Sequence, residues 1–167
     1  HEHGTPLCLD PRAFNNVADT DWTRDVNRRW IAEHKAHAQG LVPRVDPKLA
    51  SQNLRPFKHS LGFDPSRPEF TYPVYLVEAE DIDAAIGAAT DAAPQWANLP
   101  TNERAELLLK VAEEIERRRG ELIAAMVLDA GKRVQEADVE VSEAVDFAHY
   151  YARHALQLTD LERPRGV

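Results

Sequence analysis

The chain has 167 residues and a mass of 18.8 kDa, enough for one domain of ordinary size or a domain with an arm. Hydrophobic residues at 43% and charged residues at 29% exclude a disordered chain, and no apolar run is long enough to span a bilayer. The net charge of −8 is lopsided: 10 Lys+Arg stand against 9 Asp+Glu over 1–77 and 10 against 19 over 78–167, so nucleic acid is not an expected partner.

The single cysteine, Cys8, excludes an internal disulfide and a multi-thiolate metal site, and fits a reducing compartment. Eight of the 11 prolines precede residue 77 and break up that stretch. One helix fits there, over about 20–39: Trp22, Val26 and Trp30 recur every fourth residue after Thr20, with Gly40 as a stop. Leu41 to Thr71 reads as an extended, surface-hugging path, and 72–77 (Tyr72 to Val77) as a strand. After Glu78 the pattern turns helical. Ile82, Ala85, Ile86, Ala89 and Ala93 form a stripe that should end near Pro94, behind a first turn holding Glu80, Asp81 and Asp83.

A second helix should open near Pro100–Thr101, with Leu108, Val111, Ala112 and Ile115 as its apolar face and Arg117, Arg118 and Arg119 as its polar end. Gly120 reads as a break or kink, and Gly131 as a left-handed cap. Arg133 to Leu158 contains neither Gly nor Pro and reads as one long helix. Val134, Val141, Val145, Ala148, Ala152 and Ala155 outline its buried side, with Phe147, Tyr150 and Tyr151 widening the stripe. The expected class is mainly α: three or four helices, an extended N-terminal arm and one or two short strands. The division falls at 1–77 and 78–167.

The last helix carries the densest chemistry. Glu136, Glu140 and Glu143 fall at i, i+4 and i+7 on one face, followed by Asp146 and His149. An acid-x-x-His pair can place two ligands on one metal, but only one such pair is present, so a solvated acidic face outweighs a metal centre. His34 and His37, or His1 and His3, could chelate only with a third ligand that the pattern does not supply, and His154 would complement a helix end. Nucleophile elbows and Gly-rich phosphate turns are missing, and the 7 glycines are scattered. The residues alone leave open a non-enzymatic acidic module that docks a basic partner.

Several blocks from Ile82 to Arg153 carry a resemblance. They run Ala-Ala-Pro-Gln-Trp96, Leu-Pro-Thr-Asn-Glu-Arg104, Leu-Leu-Leu-Lys-Val-Ala112, Glu-Glu-Ile-Glu-Arg-Arg-Arg119, Leu-Asp-Ala-Gly-Lys132 and Glu136-Ala-Asp-Val-Glu-Val-Ser-Glu-Ala-Val-Asp-Phe147, with Tyr150-Tyr151-Ala152 after them. In this order they resemble the N-terminal helical region of the aldehyde dehydrogenase superfamily. Glu-Ala-Val-Asp-Phe147 and Val-Ala-Asp-Thr-Asp-Trp22 look most like L-glutamate γ-semialdehyde (pyrroline-5-carboxylate) dehydrogenases, including the bifunctional proline-utilisation type. Asp129 stands where Glu is usual before Ala-Gly-Lys, and the family's early strand pair is not evident in Leu41–Ser60.

The resemblance implies the N-terminal portion of an α/β aldehyde dehydrogenase-like fold. The complete enzyme would oxidise the semialdehyde to L-glutamate with NAD, in the cytoplasm or, in a eukaryote, the mitochondrial matrix, as a homo-oligomer. FAD enters only if a proline dehydrogenase domain precedes it. Cys8 does not match the family's nucleophile, so no catalytic, cofactor-binding or metal residue is assigned to this chain. Those groups are expected beyond Val167, and the chain alone is expected to be inactive. Glu143 is the one carried-over site residue: it matches an acid that lines the substrate entry and meets the bound amino acid's polar end, where a carboxylate favours an ammonium group.

Overall fold

In a computed structural model the chain is described over residues 9–10, 13–40 and 58–159. In chain order these form α1 (Asp25–Gly40), β1 (Lys58–Asp64), β2 (Arg67–Leu76), α2 (Ala79–Asn98), α3 (Thr101–Arg117), α4 (Arg119–Ala130) and α5 (Val134–Thr159). The mainly helical class agrees with the reading of the sequence. Cys8, His1, His3 and the stretch 41–57 lie outside the described residues.

α1 starts at Asp25, later than the pattern suggested, because Thr20 does not cap it. Thr20 instead gives its backbone N–H and its hydroxyl to Asp138, at 2.8 and 2.9 Å. The side of α1 turned inward carries Asn27 and Ile31, whereas Val26 is exposed. Trp22 and Trp30 do pair, stacked at 6.4 Å between ring centroids.

Where an extended path and one short strand were expected, β1 and β2 make an antiparallel hairpin, Lys58 opposite Leu76 and Gly62 opposite Tyr72. Its tight end is built by Asp64, which accepts the Ser66 backbone N–H at 2.8 Å and pairs with Arg67 at 3.0 Å. Those hydrogen bonds, the one from Ser66 foremost, hold the Asp64 carboxyl below its usual range. A Cβ on Gly62 would lie 2.5 Å from the Tyr72 ring, so only glycine lets the ring cross the strand there.

Tyr72 also ties the hairpin to α4 by donating its hydroxyl to Asp129. The Asp129 hydrogen bond, then burial, push the phenol from 10.0 to about 12. A raised folded pKa means that the stabilisation is complete below pH 10.0 and is lost as pH climbs through about 12. Tyr72→Phe is therefore expected to lower the urea midpoint, by an amount equivalent to roughly 1 kcal/mol, below pH 10. The gap should close as pH approaches 12; a gap independent of pH would refute the assignment.

α2 runs on through Pro94 to Asn98 instead of stopping before it. Proline removes one backbone donor and crowds the carbonyl of Thr90. The whole helix is solvent-facing, so water can take that carbonyl. Among the described residues α2 packs against no other element, and its stripe, Ile82 and Ile86 included, is exposed.

The body of the fold is α3, α4 and α5, with α1 laid on α4. α3 opens at Thr101 as expected, and the break that follows it falls at Arg118 rather than Gly120. Gly131 caps α4 with φ 66°, the left-handed conformation that its position suggested. Ile31, Ile123, Ala137 and Val141 form the core, flanked by Trp22, Trp30 and Ile115. Val145 and Ala152 are buried as the stripe required, but Phe147 and Tyr151 stand 60% exposed, so they do not widen it.

Candidate functional site

α5 presents two unlike faces. Its inward face carries polar residues at positions that the apolar stripe would give to aliphatics: Asp138, Ser142 and His149 are all buried. Asp138 is the hub. Besides Thr20, it accepts from Trp22 Nε1 at 3.2 Å and from Arg119 Nη1 at 2.6 Å. Arg119 also donates to Ser142 Oγ at 3.1 Å and pairs with Glu116 at 2.7 Å. Burial pulls the Arg119 guanidinium down, but Glu116 and Asp138 outweigh it and leave the pKa raised.

So Arg119 is no part of a solvated polar end, although Arg117 and Arg118 are: they pair with Glu114 and Glu121 at the surface. The burial of Arg119 and Asp138 escaped the sequence reading. The available signal was an acid one turn past Val134 and one turn before Val141, on the apolar stripe itself.

The outward face of α5 holds a shallow depression of about 400 Å³, lined by Gln135, Glu136, Val139, Glu140 and Glu143. The spacing did bring the three glutamates to one surface. Glu136 is neutralised by Arg133 at 2.8 Å, and that side chain holds its carboxyl below the usual range. Glu140 pairs with Lys132. Glu143 is exposed and, among the described residues, has neither an ion pair nor a hydrogen bond. Of the three carboxylates it is the one left to accept a cation from outside.

Asp146 and His149 are turned away from that depression. Asp146 accepts from Asn16 Nδ2 at 2.6 Å and from the Val17 backbone N–H at 2.8 Å. His149 Nε2 lies 2.8 Å from the Asp10 carbonyl oxygen, and the ring packs on Phe14 at 5.4 Å. The carboxylate–histidine pair is thus spent on the N-terminal segment, and no group of metal-ligating side chains forms among the described residues. His34 packs edge-on against Trp30, and His154 sits over Tyr150 at 4.1 Å rather than at the helix end; His37 is exposed.

Nor do the described glycines make a dinucleotide cradle. Gly62 and Gly120 are filled against by Tyr72 and His34, Gly131 faces Pro65, and Gly87 lies alone on α2. No cofactor contact is assigned to this chain.

The architecture is thus a hairpin followed by α2 to α5, with one acid-lined helix face left open. A family model described as "Aldehyde dehydrogenase family" matches residues 58–165, and the chain belongs to that family. Within it, the chain is 42% identical to a 1-pyrroline-5-carboxylate dehydrogenase of Staphylococcus saprophyticus, over 88% of this chain and 29% of that protein. The fold superposes with a TM-score of 0.82 on proline utilization A (PutA) from Bdellovibrio bacteriovorus, at 30% identity, covering 96% of this chain and 17% of that one. On a 1-pyrroline-5-carboxylate dehydrogenase from Thermus, solved with bound NAD, the TM-score is 0.79 at 27% identity, covering 92% and 31%. The chain therefore spans under a third of the length of these proteins. No helix among the described residues is long and apolar enough to cross a membrane.

Proposed function

We propose that this chain is the N-terminal part of an NAD-dependent enzyme that oxidises L-glutamate γ-semialdehyde to L-glutamate, and that Glu143 receives the substrate's ammonium group. The observation that carries this reading is the joint match of 88% of the chain to a pyrroline-5-carboxylate dehydrogenase and of its fold to a protein of the same name. The free carboxylate of Glu143, in a depression whose other two acids are already paired, supports the assigned role. The division into an arm, 1–77, and a helical part, 78–167, rests on the jump in acidic charge between them. The complete enzyme is read as a cytoplasmic homo-oligomer whose remaining polypeptide supplies the nucleophile and the NAD site.

The test uses the complete polypeptide that carries this chain, given L-pyrroline-5-carboxylate and NAD. NADH and L-glutamate should appear, whereas the 167-residue chain alone should give neither. Glu143→Gln is expected to raise the KM for the semialdehyde about tenfold relative to an unsubstituted aliphatic aldehyde, the effect of losing one charge-assisted hydrogen bond. An unchanged ratio of the two KM values would remove Glu143 from the site, and failure to oxidise the semialdehyde would remove the reaction.

A further inference from the structure

The N-terminal segment is laid along α5 by three anchors. Asp10 meets His149 through its carbonyl oxygen at 2.8 Å. Asn16 and Val17 grip both oxygens of Asp146 at 2.6 and 2.8 Å. Thr20 meets Asp138 at 2.8 Å. As residue number rises along the segment it falls along the helix, so the two run in opposite directions. The anchors bracket Glu143, with Asp138 before it and Asp146 three residues after it on the same rigid helix. A carboxylate that must meet an ammonium group within hydrogen-bond distance tolerates little displacement, since a shift on the order of an ångström costs binding.

We propose that residues 13–22, together with Asp10, act as a positioning strap, and that Asp146, held by Asn16 and the Val17 N–H, sets Glu143 in its place for the amino-acid end of the substrate. This rests on the role given to Glu143 above. Asp146 faces the strap rather than the depression, so it acts through α5 and does not touch the substrate.

The test measures, in the complete enzyme, the ratio of KM for the semialdehyde to KM for an unsubstituted aliphatic aldehyde. Asp146→Ala should raise that ratio about fivefold with kcat little changed. Asp146→Asn should return it towards wild type, because its oxygen still accepts the Val17 N–H and its amide can pair with a turned Asn16. In a Glu143→Gln background, Asp146→Ala should add nothing further, since its effect passes through the carboxylate already removed.

An unchanged ratio in Asp146→Ala would overturn the strap. So would an equal fall in kcat for both aldehydes with no rescue by Asn, or effects of Asp146→Ala and Glu143→Gln that simply multiply. If Glu143→Gln itself moves the ratio while Asp146→Ala does not, the strap fails and the Glu143 role stands. If the wild-type enzyme does not oxidise the semialdehyde, both fall.

Discussion

Arg119→Met is expected to lower the stability of the chain by about 3–5 kcal/mol, a fall of roughly 10 °C in the melting midpoint. Methionine keeps much of the side-chain length but removes every donor. Asp138, 1% exposed, would keep its Thr20 and Trp22 hydrogen bonds and lose the guanidinium at 2.6 Å, its cationic partner. Glu116 would lose the same partner at 2.7 Å, and Ser142 a donor at 3.1 Å. A buried carboxylate stripped of its counter-charge is costly because neither water nor another cation replaces it. Adding Asp138→Asn to Arg119→Met removes the orphaned charge while keeping an oxygen for Thr20, so the double variant should recover a substantial part of the loss. Thermal melts of the two variants decide the matter. A single variant within about 2 °C of wild type would show that the network contributes little.

The same network explains which parts of the fold the sequence reveals. Helix ends set by neighbouring residues are legible: Thr101 after Pro100, the left-handed Gly131, and α5 uninterrupted by Gly or Pro. Burial decided by distant residues is not. Arg119 sits in a run of three arginines that looks like a solvated helix end, yet its buried partners Asp138 and Ser142 lie on α5, and Asp138 is itself held by Thr20. Asp146 and His149 have the spacing of metal ligands, yet their partners, Asn16, Val17 and Asp10, lie at the other end of the chain. Periodicity also said that α2 has an apolar face without saying what covers it. Phe147 and Tyr151 show the same limit on α5, aromatic by composition and exposed by position. The acidic depression itself was legible, because three glutamates on one helix need only the helix to meet.

Gly120→Ala separates two effects of opposite sign. Inside a helix, alanine is favoured over glycine by about 1 kcal/mol, and Gly120 lies within α4 with no positive φ to defend. On propensity alone the substitution should stabilise. The added methyl, however, would sit 2.5 Å from His34 Cδ2 and 2.8 Å from its Cγ, inside contact distance of the ring's base as well as its edge. The ring is backed by Trp30, edge-on at 5.3 Å, so it cannot simply swing clear, and α1 would have to lift from α4. Overpacking of this kind costs about 1–3 kcal/mol, which exceeds the propensity gain, so Gly120→Ala should be destabilising. In a His34→Ala background the collision is gone and the sign should reverse, the second methyl now adding stability. The coupling between the two sites, read from urea unfolding of the four chains, should reach at least about 1 kcal/mol. Additive effects would mean that Gly120 is not the residue that lets α1 approach α4, and that its place in the fold has another cause.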